Sequence, residues 1–285
     1  MRVVFYNLKN HWKRFLGYFF LPLGSAWTVI EPTVYFNNDF IPKNCKFSLY
    51  ILLLLIGLGY VIFELFSLHK AELNINNRKI IVRFGDLFEC KNTYKVIPVS
   101  QFFYETEVFK YSLQDLLIED IGKDVYLQLI DNELFKYAPT IENRNLNNLN
   151  LDKKYDLGTT IKIDSGKLKY ILFALTKTET QPIPNDNCNV SLLWDALEKF
   201  WGNIPILVNG ESISIPLIGN NVNGINLHPL KTLEINLLAI LYALESRKLK
   251  LNDNQFIEII IYENNTELIE KIDLKKVKEI WDNKF

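Results

Sequence analysis

The 285-residue chain is poor in the residues that hold metals and disulfides. Its three cysteines, Cys45, Cys90 and Cys188, form no Cys-x-x-Cys pair, and His11, His69 and His228 are equally scattered. This spacing excludes a disulfide framework and a zinc site, and it suits a reducing compartment. Net charge is only −1, so no broad positive field is present and nucleic acid is not an expected partner. Two phosphate-binding fingerprints are also missing. No Gly-Lys-Ser/Thr follows Gly219 and Gly224, and no G-x-G-x-x-G occurs, which rules out a P-loop and the dinucleotide turn.

Long uncharged runs are present. Phe15 to Ile30 carries no charge, and neither does Phe47 to Phe63, "FSLYILLLLIGLGYVIF". Each falls a little short of the ~20 residues that cross a bilayer. With polar and aromatic flanks they give expected spans of about 15–35 and 47–66. Trp12, Tyr18, Trp27, Tyr35 and Tyr50 stand where an aromatic belt would lie. The second run lacks the polar stripe of a soluble helix. The first contains Gly17, Pro22 and Gly24 and is closed by Glu31. Two other readings stay open: a pair of buried core helices, and a signal peptide cleaved after Ala26. Arg2, Lys9, Lys13 and Arg14 precede the first span and Lys70, Arg78 and Lys79 follow the second, with only Lys43 and Lys46 between. The positive-inside rule then puts both termini in the cytoplasm and the connection at about 36–46 outside. The expected division is residues 1–70 as a transmembrane hairpin and 71–285 as a cytoplasmic domain.

From Ala71 onward the pattern is globular. "AELNIN" and "KIIVRF" alternate and meet at "NNR", which predicts a hairpin. Strands are expected at 94–100, at "TTIKID" and "LKYILFALTK" joined by Ser165–Gly166, at 212–218 and at "QFIEIIIY". Helices are expected over 112–121, 124–137, 190–202, Pro229 to about Lys248, and near 265–281. The Asn-rich stretch 142–154 reads as a surface loop, and there is no internal repeat. Buried strands alternating with helices mean an α/β fold, a mixed sheet covered on both faces.

Ligands of open α/β sheets sit beyond the carboxyl ends of the strands. Three such ends carry chemistry here: "VRFGDLFE" with Gly85 and Asp86, "VIPVSQFF" with Ser100, and "IPLIGNNVNG" leading to Pro229. A glycine-rich loop before a helix start offers free N–H groups and a positive dipole end, which suits a phosphate. Asn220, Asn221 and Asn223 tolerate left-handed turns. Taken singly, each feature has a plainer explanation: Asp86 as a turn-capping carboxylate, the Asn loop as a surface turn, and His228 as a solvated residue before the helix, which is the preferred reading for His228.

In this order, "FGDLF" (84–88), the "VIPVS" stretch, "YDLGTTIKI" (155–163), "LKYILFALTK" and "SIPLIGNNVNG" (214–224) resemble a macro domain. The likeness covers roughly Leu73 to the C-terminus. It implies a macro-domain-like mixed sheet between helices that binds ADP-ribose. By position, Asp86 would accept from the adenine amino group, with Leu87 and Phe88 walling its pocket. Ile218, Gly219, Asn220, Asn221, Val222, Asn223 and Gly224 would form the diphosphate loop, Ser100 would lie near the distal ribose, and Ser112 with Leu113 would open the other phosphate loop. The Gly-Gly-Gly loop of hydrolytic members is missing and Ser100 replaces their Asn, so the resemblance implies binding without turnover, with no catalytic residue, cofactor or metal.

A macro domain behind a two-helix hairpin is similar to the effector of type II Thoeris antiphage defence in bacteria. That resemblance implies a signal, a histidine–ADP-ribose conjugate made by a TIR-domain partner that consumes NAD. It also implies disruption of the inner membrane by the hairpins, and homo-oligomers, since two helices alone cannot line a pore. A membrane-anchored ADP-ribosyl hydrolase and an interaction module without ligand are the alternatives.

Overall fold

The computed structural model describes residues 12–36, 46–67, 69–91, 93–104, 112–141, 153–165, 168–176, 189–219, 227–252 and 254–282. The chain divides into two compact units: Met1–Ala71 with Glu263–Glu279, and Glu72–Tyr262 with Ile280–Phe285.

The first unit holds helices α1 (Trp12–Phe36) and α2 (Lys46–Ser67). They pack through Phe15 and Leu53, both buried, and through an edge-on contact of Tyr18 with Tyr60 at 6.2 Å. Gly57 allows the close approach, because a Cβ there would stand 3.1 Å from the Phe19 carbonyl oxygen. The remaining apolar surface is open: Leu21 is 64% exposed, Leu55 59% and Phe63 67%. Glu64, almost fully buried, is held by Lys275 at 3.0 Å, and the Lys275 ammonium also lies over the Tyr18 ring. Unpaired, such a buried carboxylate would be costly.

The expected transmembrane hairpin requires correction. Among the described residues no helix is long and apolar enough to cross a membrane. The second run holds 17 uncharged residues between Lys46 and Glu64, about 26 Å of helix against a hydrocarbon core of about 30 Å. In α1, Lys13, Glu31, Pro22 and Pro32 interrupt the apolar stretch. What the sequence marks as two spans the structure gives as two long helices.

The second unit is built on a seven-stranded sheet in the order β1-β2-β9-β8-β3-β7-β6. Its strands are β1 (Lys70–Ile75), β2 (Arg78–Gly85), β3 (Thr93–Ser100), β6 (Thr160–Ser165), β7 (Leu168–Thr176), β8 (Ser212–Pro216) and β9 (Phe256–Tyr262), while β4 (Thr140–Ile141) and β5 (Lys153–Lys154) pair separately. The five strands β2, β9, β8, β3 and β7 run parallel, and β6 is antiparallel to β7. β1 and β2 meet at Asn76 and Asn77, whose φ values of 50° and 58° make the left-handed two-residue turn of a hairpin.

Helices α3 (Leu113–Ile121) and α4 (Lys123–Leu134) cover one face, where Leu117, Tyr126 and Ile130 join Ile97, Val99, Leu172 and Ile260 in one apolar cluster. The other face packs α5 (Val190–Val208), whose Phe200 meets Phe173 at 4.8 Å. α6 (Pro229–Glu245) contributes buried Leu233, Leu237 and Ile240. The mixed sheet covered on both faces is as expected from sequence. One boundary differs: the C-terminal helix is two, α7 (Thr266–Lys271) and α8 (Leu274–Asp282). The break falls at Asp273, whose carboxylate accepts from the Lys275 and Lys276 amides and so starts a new helix.

The hairpin turn gives a direct check. Replacing Asn77 by Val, which resists positive φ, lowers stability by about 1–2 kcal/mol, while Asn77→Gly leaves it nearly unchanged; urea unfolding of the two variants measures the difference.

Candidate functional site

Parallel strands β2, β9, β8 and β3 deliver their carboxyl ends to one edge of the sheet. Neighbouring strands are about 4.8 Å apart, so Asp86 after β2 and Gly219 after β8 are separated by about two strand spacings. Ser100, at the end of β3, is one spacing further.

Gly219 is the conformationally constrained member. Its φ is +97°, a backbone state other residues avoid, and a Cβ there would stand 3.1 Å from Leu193 Cδ2 and 3.3 Å from Thr232 Cγ2. The chain therefore turns off β8 between the first turns of α5 and α6. Both helices point their N-terminal, partly positive ends at this edge. α5 is capped by Asn189, whose Oδ1 accepts from the Leu192 amide at 2.8 Å. α6 opens with Pro229 at its first turn, and its cap is His228, whose Nδ1 accepts from the Leu230 amide at 3.3 Å. The histidine is thus a helix cap rather than only a solvated residue.

Beneath Gly219 lies a pair of residues that sequence reasoning missed. Asn236, 1% exposed, donates through Nδ2 to the Ile218 carbonyl and to the Thr232 carbonyl, each at 2.8 Å. Asn236 Oδ1 and Thr232 Oγ1 are buried with no hydrogen-bond partner among the described residues. Burying unpaired polar atoms costs free energy; the two Nδ2 hydrogen bonds offset part of that cost and pin the exit of β8 to α6. The signal was legible: a Thr and an Asn four residues apart inside the apolar helix "TLEINLLAI".

At the other end of the edge, Asp86 Oδ1 accepts from the Phe88 amide at 2.8 Å, the turn-capping role anticipated for it. Leu87 is 3% exposed and belongs to the α3–α4 core cluster, so it supports the turn rather than lining an open surface. Phe88 is partly buried, with its ring 6.3 Å from that of Tyr170.

Ser100 is buried and bonded within its own turn, exchanging hydrogen bonds with the Phe102 amide and carbonyl at 3.1 Å. A register shift between Val99 and Ser100 re-aims this strand end. Ser112 caps α3 by accepting from the Asp115 amide at 3.0 Å, and Leu113, the first residue of that helix, packs on the core. Ser112 and Leu113 therefore have structural work in this arrangement. Asn220, Asn221, Val222, Asn223 and Gly224 lie outside the described residues.

Chemically the edge offers a carboxylate acceptor at one end and, at the other, helix N-termini around a glycine with no side chain. That combination suits an extended ligand with a hydrogen-bond donor at one end and an anionic centre.

The family model described as "Thoeris protein ThsA, Macro domain" matches residues 80–262, more than half of the chain. Solved structures of an Oceanobacillus iheyensis macrodomain are similar. A mutant form is 18% identical, covering 74% of this chain and 94% of that chain with a TM-score of 0.47. A form with MES bound is 20% identical, covering 74% and 98% with a TM-score of 0.46. Another mutant form, described with ADPR, is 20% identical, covering 74% and 99% with a TM-score of 0.47. No curated protein matches.

Asn236→Leu keeps the helix but frees the Ile218 carbonyl; it should cost about 1–3 kcal/mol of stability, read as a lower urea midpoint. An unchanged midpoint would remove Asn236 from its pinning role.

Proposed function

The chain belongs to the family described as Thoeris protein ThsA, Macro domain, and on that footing we propose that its second unit is a receptor for an ADP-ribose-containing signal in antiphage defence. The observation that carries the reading is Gly219. Its left-handed turn off a central parallel strand, set against the first turns of two helices, supports a diphosphate-binding role. Asp86, with one carboxylate oxygen committed to its own turn, offers the other to the adenine amino group.

The ligand proposed is a histidine–ADP-ribose conjugate supplied by a TIR-domain protein that consumes NAD. The receptor reads the signal without hydrolysing it, because the Gly-Gly-Gly segment of hydrolytic relatives is missing from the sequence and Ser100 spends its hydroxyl on its own turn.

The first unit is proposed as the output, acting on the bacterial inner membrane with the second unit on the cytoplasmic side. The open apolar faces of α1 and α2 support this, since surfaces of this kind are covered by lipid or by other copies. Several copies would assemble, and signal binding must favour the active assembly over the resting one, because a ligand shifts an equilibrium only by its differential affinity.

Titration calorimetry on the full chain should show binding of ADP-ribose and of the histidine conjugate. Gly219→Val should abolish it, and Asp86→Ala should weaken it by at least about tenfold. Unchanged binding in both variants would refute this site. The conjugate should be recovered intact; release of free ADP-ribose would make the chain a hydrolase instead. On cell fractionation the protein should sediment with membranes, and recovery in the soluble fraction would remove the bilayer from the proposal.

A further inference from the structure

A line of polar side chains crosses the α3–α4 face of the sheet, where apolar residues would otherwise be expected. Arg83 on β2 donates through Nε to Glu258 Oε1 on β9 at 2.5 Å. Glu258 Oε2 accepts from Ser214 Oγ on β8 at 3.0 Å, and Ser214 shares a hydrogen bond of 2.8 Å with Thr93 Oγ1 on β3. The parallel register explains the alignment: Ile81 and Ser214 both stand opposite Glu258, and Arg83 shares a face with Ile81.

The line does not end at the sheet. The other arm of the Arg83 guanidinium, Nη2, donates to Cys90 Sγ at 3.3 Å, and the Cys90 thiol donates to the Asp86 carbonyl at 3.6 Å. The Cys90 amide closes the same loop on the Leu87 carbonyl at 3.2 Å. Gly85 makes this path possible. A Cβ there would collide with the guanidinium, which reaches forward along the strand into the space a side chain would fill. Burial pushes the Cys90 thiol up, keeping it protonated and able to donate.

We propose that Arg83, held by Glu258 and acting through Cys90, is the positioning residue for the Asp86 turn, and so sets how well the site distinguishes adenine from a base lacking the 6-amino group. The inference rests on the assignment of Asp86 to the adenine amino group made above. Neither Arg83 nor Cys90 touches the ligand. Glu258 fixes the guanidinium plane, and a planar fork fixed on one side presents its other donor in a set direction. Because the hydrogen bond that holds the Asp86 carboxylate among the described residues comes from its own turn, displacement of that turn moves the acceptor away from the base.

The test uses the full chain, with ADP-ribose and inosine diphosphate ribose, which carries a 6-oxo group in place of the amino group. The wild-type chain binds ADP-ribose the more tightly of the two. Arg83→Met would strand the Glu258 charge and could unfold the protein, so the informative variants are Cys90→Ala, which leaves the ion pair intact, and Arg83→Lys, which keeps the charge but not the fork. Both should retain a near-wild-type thermal midpoint while the preference for ADP-ribose falls roughly five- to tenfold. A merely structural role would move the midpoint and leave the preference intact, and that result overturns the inference while leaving the receptor reading standing. Failure of the wild-type chain to bind either nucleotide overturns both.

Discussion

The parallel register of β2, β9, β8 and β3 is the constraint on which the second unit depends. Four strands running the same way bring Asp86, Ser100 and Gly219 to one edge, although Gly219 lies more than a hundred residues of chain beyond the other two. Parallel strands need crossovers, and each crossover helix that returns to the sheet presents its N-terminus near the preceding strand end. The concentration of α5 and α6 starts around Gly219 is therefore a consequence of topology. A phosphate can be held there by backbone dipoles without dedicated lysines or arginines.

That edge is supported differently at its two ends. Around Gly219 the support is tight packing with a polar pin: Leu193 and Thr232 leave no room for a side chain, and Asn236 holds the Ile218 carbonyl. Around Asp86 it is electrostatic: an ion pair between Arg83 and Glu258, extended by Ser214, Thr93 and Cys90. Buried ion pairs rarely add net stability, because desolvation offsets attraction. Their usual contribution is geometric. A guanidinium clamped by Glu258 cannot follow an apolar core's freedom to repack, and the turn carrying Asp86 inherits that rigidity.

The strands were legible in the sequence because β-branched runs such as "KIIVRF" and "FIEIIIY" leave little ambiguity, and the Asn76–Asn77 turn carries its own conformational signature. Gly219 was legible for the same reason, as a glycine at a strand end before a helix. Arg83 and Glu258 were not. Each reads as an ordinary charge on an alternating strand, and only the register, which no local pattern encodes, puts them on one face and in contact. Ser112 was legible as a helix-start hydroxyl, and capping and ligand binding ask for the same hydroxyl there. The apolar hairpin illustrates the converse. Hydropathy marks two helices, and the features that count against a full span, Pro22 and Glu31 in α1 and the short charge-free run in α2, stand in the same sequence.

The chain itself ties the end of β9 to the first unit. β9 is a central strand, and its last residue, Tyr262, is paired with Gly85, next to Asp86. Directly after Tyr262 the chain enters the segment Glu263–Glu279, which belongs to the first unit with α1 and α2. Lys275 in that segment neutralises the buried Glu64 of α2. One stretch of chain thus leads from the strand end beside Asp86 to the cation that neutralises a charge inside the hairpin. Removing Lys275 would take the counter-charge from a nearly buried carboxylate that also bonds the Tyr60 hydroxyl, a costly change. The segment that follows β9 therefore holds the counter-charge of the first unit's nearly buried carboxylate, so that unit is completed by residues from both ends of the sequence.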